Sequence, residues 1–169
     1  MVHRPLVKKS AQSAGYQARK RARTSNILIM TDAKGIPIAQ GGILSGNHND
    51  LFEIVPRYAG MIKGLNQCGI DVTGSIQNAD KGFDSKQFRR AIQGRKMKPN
   101  IIENTRNRKT KKRGRKRYFN AEAYQNRFVN ERAFAWLDSF KTLLIRFDHL
   151  DESWLNWHYL AFAIILIKV

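Results

Sequence analysis

The order of apolar patterns along the chain limits its fold more than any other sequence feature. Two β-rich runs, at 27–32 and 36–44, flank the turn residues Lys34 and Gly35, which predicts an antiparallel hairpin. Residues 51–66 follow with apolar side chains at helical spacing, as expected of a helix that packs on a sheet. The first part of the chain is therefore predicted to form a hairpin and a covering helix.

Strand and helix patterns alternate through the rest of the chain. The predicted elements are a strand over 70–80, a helix over 84–93, a short strand over 99–102, a long helix over 121–147 and a buried terminal helix over 154–169. A hairpin followed by alternating helices and strands predicts an α/β fold whose sheet mixes antiparallel and parallel neighbours. Because the chain has 169 residues, of which 42% are hydrophobic, we expect a single domain over 1–169.

Basic side chains dominate the charge, and two segments concentrate them. Lys and Arg number 31 against 13 Asp and Glu, so a nucleic acid is the expected partner, since its phosphates release counterions when such a surface binds. A basic arm over 1–26, expected to have little regular structure, carries Arg19, Lys20, Arg21 and Arg23. A basic loop over 106–117 carries Arg106, Arg108, Lys109, Lys111, Lys112, Arg113, Arg115, Lys116 and Arg117. We expect these side chains to contact phosphates without reading base sequence.

Asp80 is the strongest candidate for a chemical role. It follows the strand predicted over 70–80, and ligands of open α/β sheets collect at the carboxyl ends of strands. The alternative is that Asp80 is a turn or capping residue before the next helix. Asp84, which directly precedes Ser85 and Lys86, is the expected cap of that helix.

A second set of polar residues lies on the predicted long helix. Tyr124, Arg127 and Glu131 stand at i, i+3 and i+7, so one helical face presents a phenol, a guanidinium and a carboxylate. The alternative is an exposed ion pair between Arg127 and Glu131, which stabilises a helix by only about 0.3 to 0.5 kcal/mol. Spacing alone leaves both interpretations open.

The two sets together resemble a known motif pair. Asp80-Lys81-Gly82-Phe83, followed by Tyr124, Arg127 and Glu131, resembles the D-x-G-[FY] and Y-x2-R-x3-E motifs of DDE-type insertion-sequence transposases. The resemblance extends over nearly the whole chain from about residue 15. It implies a ribonuclease-H-like mixed sheet with flanking helices, and DNA as the partner.

The resemblance also implies a mechanism for these residues. Asp80 and Glu131 are expected to bind two Mg²⁺ or Mn²⁺ ions, while Tyr124 and Arg127 orient Glu131 or a phosphate oxygen. The expected reaction is metal-dependent DNA strand cleavage and transfer during transposition.

The chain departs from the family pattern at two places. The family's lysine after six further residues falls on Asp138, with Lys141 out of register. The family's first catalytic aspartate commonly precedes Gly-Ser/Thr-His, and if His3 matches that histidine, the aspartate falls before Met1. Asp32 is a poor substitute, because it lies in the predicted hairpin turn. We therefore expect an amino-terminally truncated transposase without its opening strand, inactive alone.

Several partners follow from this expectation. An upstream fragment is expected to provide the first aspartate, and the chain is expected to pair with itself or with an intact transposase. The rival hypotheses are a non-catalytic basic nucleic-acid-binding protein and a repressor of an intact transposase.

The sequence gives no sign of export or of a membrane span. The amino terminus has no apolar stretch of secretory length, and residues 154–169 fall short of the roughly 20 apolar residues that a span needs. Cys68, the single cysteine, offers no disulfide framework within the chain. We therefore expect a protein of the bacterial cytosol or nucleoid, with no membrane partner.

Overall fold

The computed structural model describes residues 2–8, 10–105, 114 and 117–168, which fall into two compact units. The first unit comprises Met1–Phe52 and Phe128–Val169, and the second comprises Glu53–Arg127. In chain order the elements are β1 (Val2–His3), β2 (Leu6–Val7), β3 (Gly15–Gln17), β4 (Ala22–Thr31), β5 (Pro37–Ser45), α1 (Ile54–Gln67), β6 (Ile76–Ala79), α2 (Lys86–Gln93), β7 (Lys98–Ile101), α3 (Ala121–Gln125), α4 (Val129–Asp138), α5 (Lys141–Leu144), β8 (Ile145–Arg146) and α6 (Asp151–Lys168).

The sheet of the first unit is built around β4. This strand pairs antiparallel with β1, β2, β3 and β5, while β2 pairs in parallel with β8. The predicted hairpin is confirmed as β4 and β5, and Asp32 Oδ1 accepts hydrogen bonds from the backbone N–H groups of Lys34 and Ile36 in its turn. The mixed sheet with flanking helices confirms the predicted fold class.

The amino-terminal arm has more regular structure than its sequence predicted. Residues 1–26 contain β1, β2, β3 and the start of β4, and His3 in β1 is buried. Expecting little regular structure here was wrong, because β4 offers backbone hydrogen-bonding groups to extended segments that lack an apolar period of their own. The sheet therefore has β1 and β2 where we expected an opening strand to be missing.

The core of the first unit joins β4 to the carboxy-terminal helices. Ile27 and Ile29 of β4 pack into one buried cluster with Leu137, Leu143, Trp154, Ala161, Phe162 and Ile165. The predicted terminal helix forms as α6, but only part of it is buried, since Trp157, Tyr159 and Leu160 are exposed. Within the described ranges, no helix combines the length and the apolarity that crossing a membrane requires.

The long helix predicted over 121–147 is wrong. The chain forms α3, a 3-10 turn at Asn126–Phe128, then α4, α5 and β8 in succession. The helix ends before Ile145 because residues 145 and 146 pair with Leu6 and Val7 of β2. Arg146 is thereby fully buried and donates to the buried Ser25 Oγ, a contact that a helical period cannot reveal.

The second unit has a smaller sheet of two strands. β6 pairs in parallel with β7, which confirms the short strand predicted over 99–102 to within one residue at each end. The strand predicted over 70–80 is shorter than expected, because Asp71 and Gly74 form turns before β6 begins at Ile76. Helices α1 and α2 confirm the two helices predicted for this region.

Candidate functional site

Asp80 lies where the sequence predicted, directly after β6. Its side chain is 35% exposed, and its Oδ1 accepts a hydrogen bond from Arg127 Nη1 at 2.5 Å. The side chain makes no capping hydrogen bond to the 3-10 turn Lys81–Phe83 that follows. The capping alternative therefore does not account for this carboxylate.

Tyr124 and Arg127 join Asp80 in one cluster within the second unit. The Arg127 guanidinium carbon lies 5.3 Å from the centroid of the Tyr124 ring. Burial raises the pKa of Tyr124, the Arg127 charge opposes that rise, and the Asp80 charge adds to it. Three of the four residues predicted for the site are thus together, with the guanidinium between the phenol ring and the carboxylate.

A network of three asparagines fixes α3 above the ends of β6 and β7. Asn100 is fully buried, and its Nδ2 donates to Asn78 Oδ1 at 2.7 Å and to the Asn120 carbonyl at 2.9 Å. Asn120 N–H donates back to Asn100 Oδ1, and Asn120 Oδ1 accepts from Ala123 N–H as the cap of α3. This network sets the start of the helix that carries Tyr124. Sequence reasoning missed it, because its members are far apart in the chain.

Replacing Asn100 with leucine is expected to lower the free energy of unfolding by about 2 to 3 kcal/mol, since its half-buried partners Asn78 and Asn120 then lose their hydrogen bonds. Chemical denaturation followed by circular dichroism would measure the change. The exposed Asn66, on the last turn of α1, is the control, and its replacement by leucine is expected to change stability by less than about 0.5 kcal/mol. Equal effects of the two substitutions would contradict this role of Asn100.

Glu131 lies on the first turn of α4, in the first unit, and is exposed. Two contacts fix where this helix begins: Thr31 Oγ1 donates to Asn130 Oδ1 at 2.6 Å, and the turn at Gly35 lies against Val129. Gly35 has φ +86°, and a Cβ there would lie 2.6 Å from the Val129 carbonyl oxygen, so only glycine fits. The β4–β5 hairpin therefore positions the helix that presents Glu131.

Asp80 and Glu131 belong to different units, and their meeting around a shared ion stays a prediction. Among the residues that the structure describes, no group of three or more histidine, cysteine, aspartate or glutamate side chains forms a ready metal cage. Carboxylates are nevertheless the oxygen donors that Mg²⁺ prefers. Asp80 Oδ2 has no hydrogen-bond partner among the described residues, which leaves one oxygen available to a cation.

Asp84 forms ion pairs with two arginines instead of capping a helix as the sequence predicted. The cap of α2 is Ser85, whose Oγ accepts from Phe88 N–H, so the prediction of Asp84 as the cap was wrong. Asp84 instead accepts hydrogen bonds from Arg89 Nε at 2.8 Å and Arg117 Nη1 at 2.9 Å. Burial alone would raise its pKa, but these hydrogen bonds, that of the Asn104 N–H and the two positive charges lower it overall.

Four of the predicted phosphate contacts lie together in the first unit. Arg19, Lys20, Arg21 and Arg23 are all exposed, around the turn that joins β3 to β4. Lys20 Nζ donates to the Arg4 carbonyl, and burial together with the Arg4 charge lowers its pKa. The predicted contacts at 106, 108, 109, 111–113, 115 and 116 lie outside the described residues.

The position where a lysine was expected carries a carboxylate with a defined partner. Asp138 Oδ1 accepts a hydrogen bond from Nε2 of the buried His3 at 2.8 Å. The His3 ring also stacks on Phe134, with centroids 5.7 Å apart. Asp138 therefore ties β1 to the end of α4 through its hydrogen bond with His3.

Comparison with known proteins gives one family and one relative. Residues 2–166 match the family model described as the transposase DDE domain. The chain is 35% identical over 123 residues to a protein named as a transposase for insertion sequence element IS402 of Burkholderia cepacia. The aligned region is 71% of this chain and 52% of the relative, so the chain spans about half the length of that relative. No solved structure matches the chain.

Proposed function

Because the chain belongs to the transposase DDE domain family, we propose that it binds DNA and provides part of a metal-dependent site for strand cleavage and transfer. One observation supports this most directly: Asp80 follows β6 and is paired with Arg127, whose guanidinium lies on the Tyr124 ring. These are three of the four residues predicted for the site, and they are brought together from two distant segments.

The proposed roles follow from the chemistry of each side chain. Asp80 and Glu131 hold the metal ions through carboxylate oxygens, which suit Mg²⁺ or Mn²⁺. Two such ions, when bound, would activate water and then a DNA 3′-hydroxyl for attack on a phosphodiester. Arg127 balances the Asp80 charge and can donate its remaining N–H groups to a phosphate oxygen, while Tyr124 limits the positions that the guanidinium adopts.

The third carboxylate of the family's site has no counterpart at the start of this chain. Residues 1–31 contain no aspartate or glutamate. We propose that the catalytic assembly takes its first aspartate from residues beyond these 169, in a longer polypeptide or a partner, and that this chain alone cleaves DNA little. A dimer with itself or with an intact transposase, in the bacterial nucleoid, belongs to the same proposal.

Metal binding tests the proposed site. Isothermal titration of the whole chain with Mn²⁺ is expected to show binding that Asp80→Asn and Glu131→Gln each weaken roughly tenfold or more, since each substitution removes a charged oxygen ligand. Glu152→Gln, at an exposed position on the first turn of α6, is the matched control and is expected to leave the affinity unchanged. Indifference of Mn²⁺ binding to all three substitutions, or no binding, would overturn the proposed metal site.

A second candidate function is repression of an intact transposase. The Asp80 to Arg127 ion pair is compatible with it, because the guanidinium balances the charge of that carboxylate without a metal ion. Coexpression with an intact transposase of the same element tests this candidate. A lower transposition frequency supports it, and an unchanged frequency contradicts it.

A further inference from the structure

A basic groove lies in the second unit, between α2 and the strand and loop that flank it. It has a volume of about 450 Å³, and the side chains that matter for its chemistry are Lys86, Arg89, Arg90, Lys98, Arg117 and Tyr118. No aspartate or glutamate is among the described residues that line it. This groove includes neither Asp80 nor Glu131, and of its residues only Arg117 was predicted to contact DNA.

The cations of the groove are only partly neutralised by their surroundings. Arg89 and Arg117 share the buried Asp84, and Arg117 also pairs with Glu103 at 3.2 Å. Lys86, Arg90 and Lys98 are exposed and have no carboxylate partner in the part of the chain that the structure describes. Of the five cations of the groove, two pair with the carboxylates of Asp84 and Glu103. The other three face solvent.

This arrangement is unfavourable for folding by itself. Lys86 and Arg90 are four residues apart on α2, and like charges at that spacing destabilise a helix. An anionic ligand that contacts both side chains offsets the repulsion between them. A ligand with several phosphates is favoured over a single anion, because the unpaired cations come from both α2 and β7.

An aromatic ring in the groove indicates the kind of polyanion. Tyr118 is 47% exposed and follows Arg117 directly. Exposed aromatic rings beside a cationic groove bind unpaired bases by stacking, whereas the bases of an intact duplex are stacked on each other.

We propose that this groove binds a single-stranded segment of DNA, with Lys86, Arg90 and Lys98 on the phosphates and Tyr118 stacked on a base. The inference rests on the proposed function only in taking DNA as the ligand. Strand cleavage and transfer expose unpaired DNA, so a single-strand contact away from the metal ligands is chemically consistent with that function.

Fluorescence anisotropy of a labelled 15-nucleotide oligothymidylate, titrated with the whole chain at several salt concentrations, tests the groove. The combined variant Lys86→Ala, Arg90→Ala and Lys98→Ala is expected to make the negative slope of log affinity against log salt shallower by about 2, at about 0.7 for each lost contact. Tyr118→Ala is expected to weaken binding roughly tenfold, while Tyr118→Phe keeps the stacking ring and the affinity.

Two controls separate a local groove from the effect of net charge. Lys34→Ala, Lys63→Ala and Lys168→Ala together remove the same charge from exposed positions outside the groove and are expected to change the slope far less. Lys86→Arg, Arg90→Lys and Lys98→Arg preserve the charge and are expected to retain binding. Equal losses in the two triple alanine variants would overturn the proposal, as would a Tyr118→Ala variant with unchanged affinity.

The outcomes also separate the groove from the metal site. If the chain binds the oligonucleotide but shows no Mn²⁺ binding, the proposed metal site is contradicted and the proposed groove is not. Tighter binding of a matched 15-base-pair duplex that is insensitive to Tyr118→Ala would overturn the single-strand assignment.

Discussion

Replacing Arg146 with methionine is expected to lower the free energy of unfolding by about 3 to 5 kcal/mol. The guanidinium is fully buried, where it donates to Ser25 Oγ at 2.9 Å and to Asp151 Oδ1 at 2.6 Å. Its Nε donates to the Asp148 carbonyl, and its charge lies 5.0 Å from the Trp154 ring centroid. Methionine fills a similar volume but leaves these partners unsatisfied, and a loss of this size is a large part of a typical domain's stability.

Chemical denaturation followed by tryptophan fluorescence would measure this effect. Arg146→Lys is expected to be intermediate, because lysine keeps the charge but not the planar fork that reaches several acceptors. Arg132→Met is the matched control: Arg132 is exposed, lies 5.9 Å from the Trp136 ring, and is expected to contribute less than about 1 kcal/mol. An Arg146→Met variant as stable as the Arg132→Met variant would show that the buried network does not stabilise the fold.

An added aspartate is expected to give this chain Mn²⁺-dependent DNA cleavage. Placing Asp immediately before position 1, with Met1→Gly and Val2→Ser, puts His3 in an Asp-Gly-Ser-His sequence. The added residue lies two positions before Val2, where β1 begins its pairing with β4. Metal ions contribute several kcal/mol to such reactions, so Asp80→Asn in the extended chain is expected to slow cleavage by roughly 1,000-fold, about 4 kcal/mol.

Cleavage of a labelled DNA duplex, resolved on a denaturing gel, would measure this activity. The control is the same extension with alanine in place of the added aspartate, which keeps the strand but not the carboxylate. Glu131→Gln in the extended chain is expected to match Asp80→Asn. Cleavage by the alanine extension at the rate of the aspartate extension would show that the first carboxylate plays no part.

Much of the fold could be predicted because its signals are local. The β4–β5 hairpin follows from two apolar runs around Asp32 and Gly35, and α6 follows from a continuous apolar segment. The position of Asp80 was predicted correctly for the same reason. The strand pattern ends shortly before Gly82, so the carboxylate was expected directly after the strand. The metal-binding role proposed for Asp80 comes from the family resemblance, because the local pattern alone left the role of this residue open.

The wrong predictions share a different cause. The region over 121–147 was predicted as one helix, yet it breaks so that Arg146 can join β2 and the Ser25 and Asp151 side chains. Asp84 was predicted as a helix cap, yet it is the buried partner of Arg89 and Arg117. In each case the side chain pairs with residues outside its own predicted element, and a local sequence pattern does not contain that information.

The sequence by itself determined the alternation of strands and helices, the excess of positive charge and the two motifs that carry Asp80 and Glu131. These depend on backbone preferences and spacing, which act over a few residues. Only the tertiary structure decided that Arg127 pairs with Asp80, and that Asn100 fixes the helix bearing Tyr124. A buried polar group binds whichever partner the fold brings within about 3 Å, and folding chooses that partner through contacts spread over the whole chain.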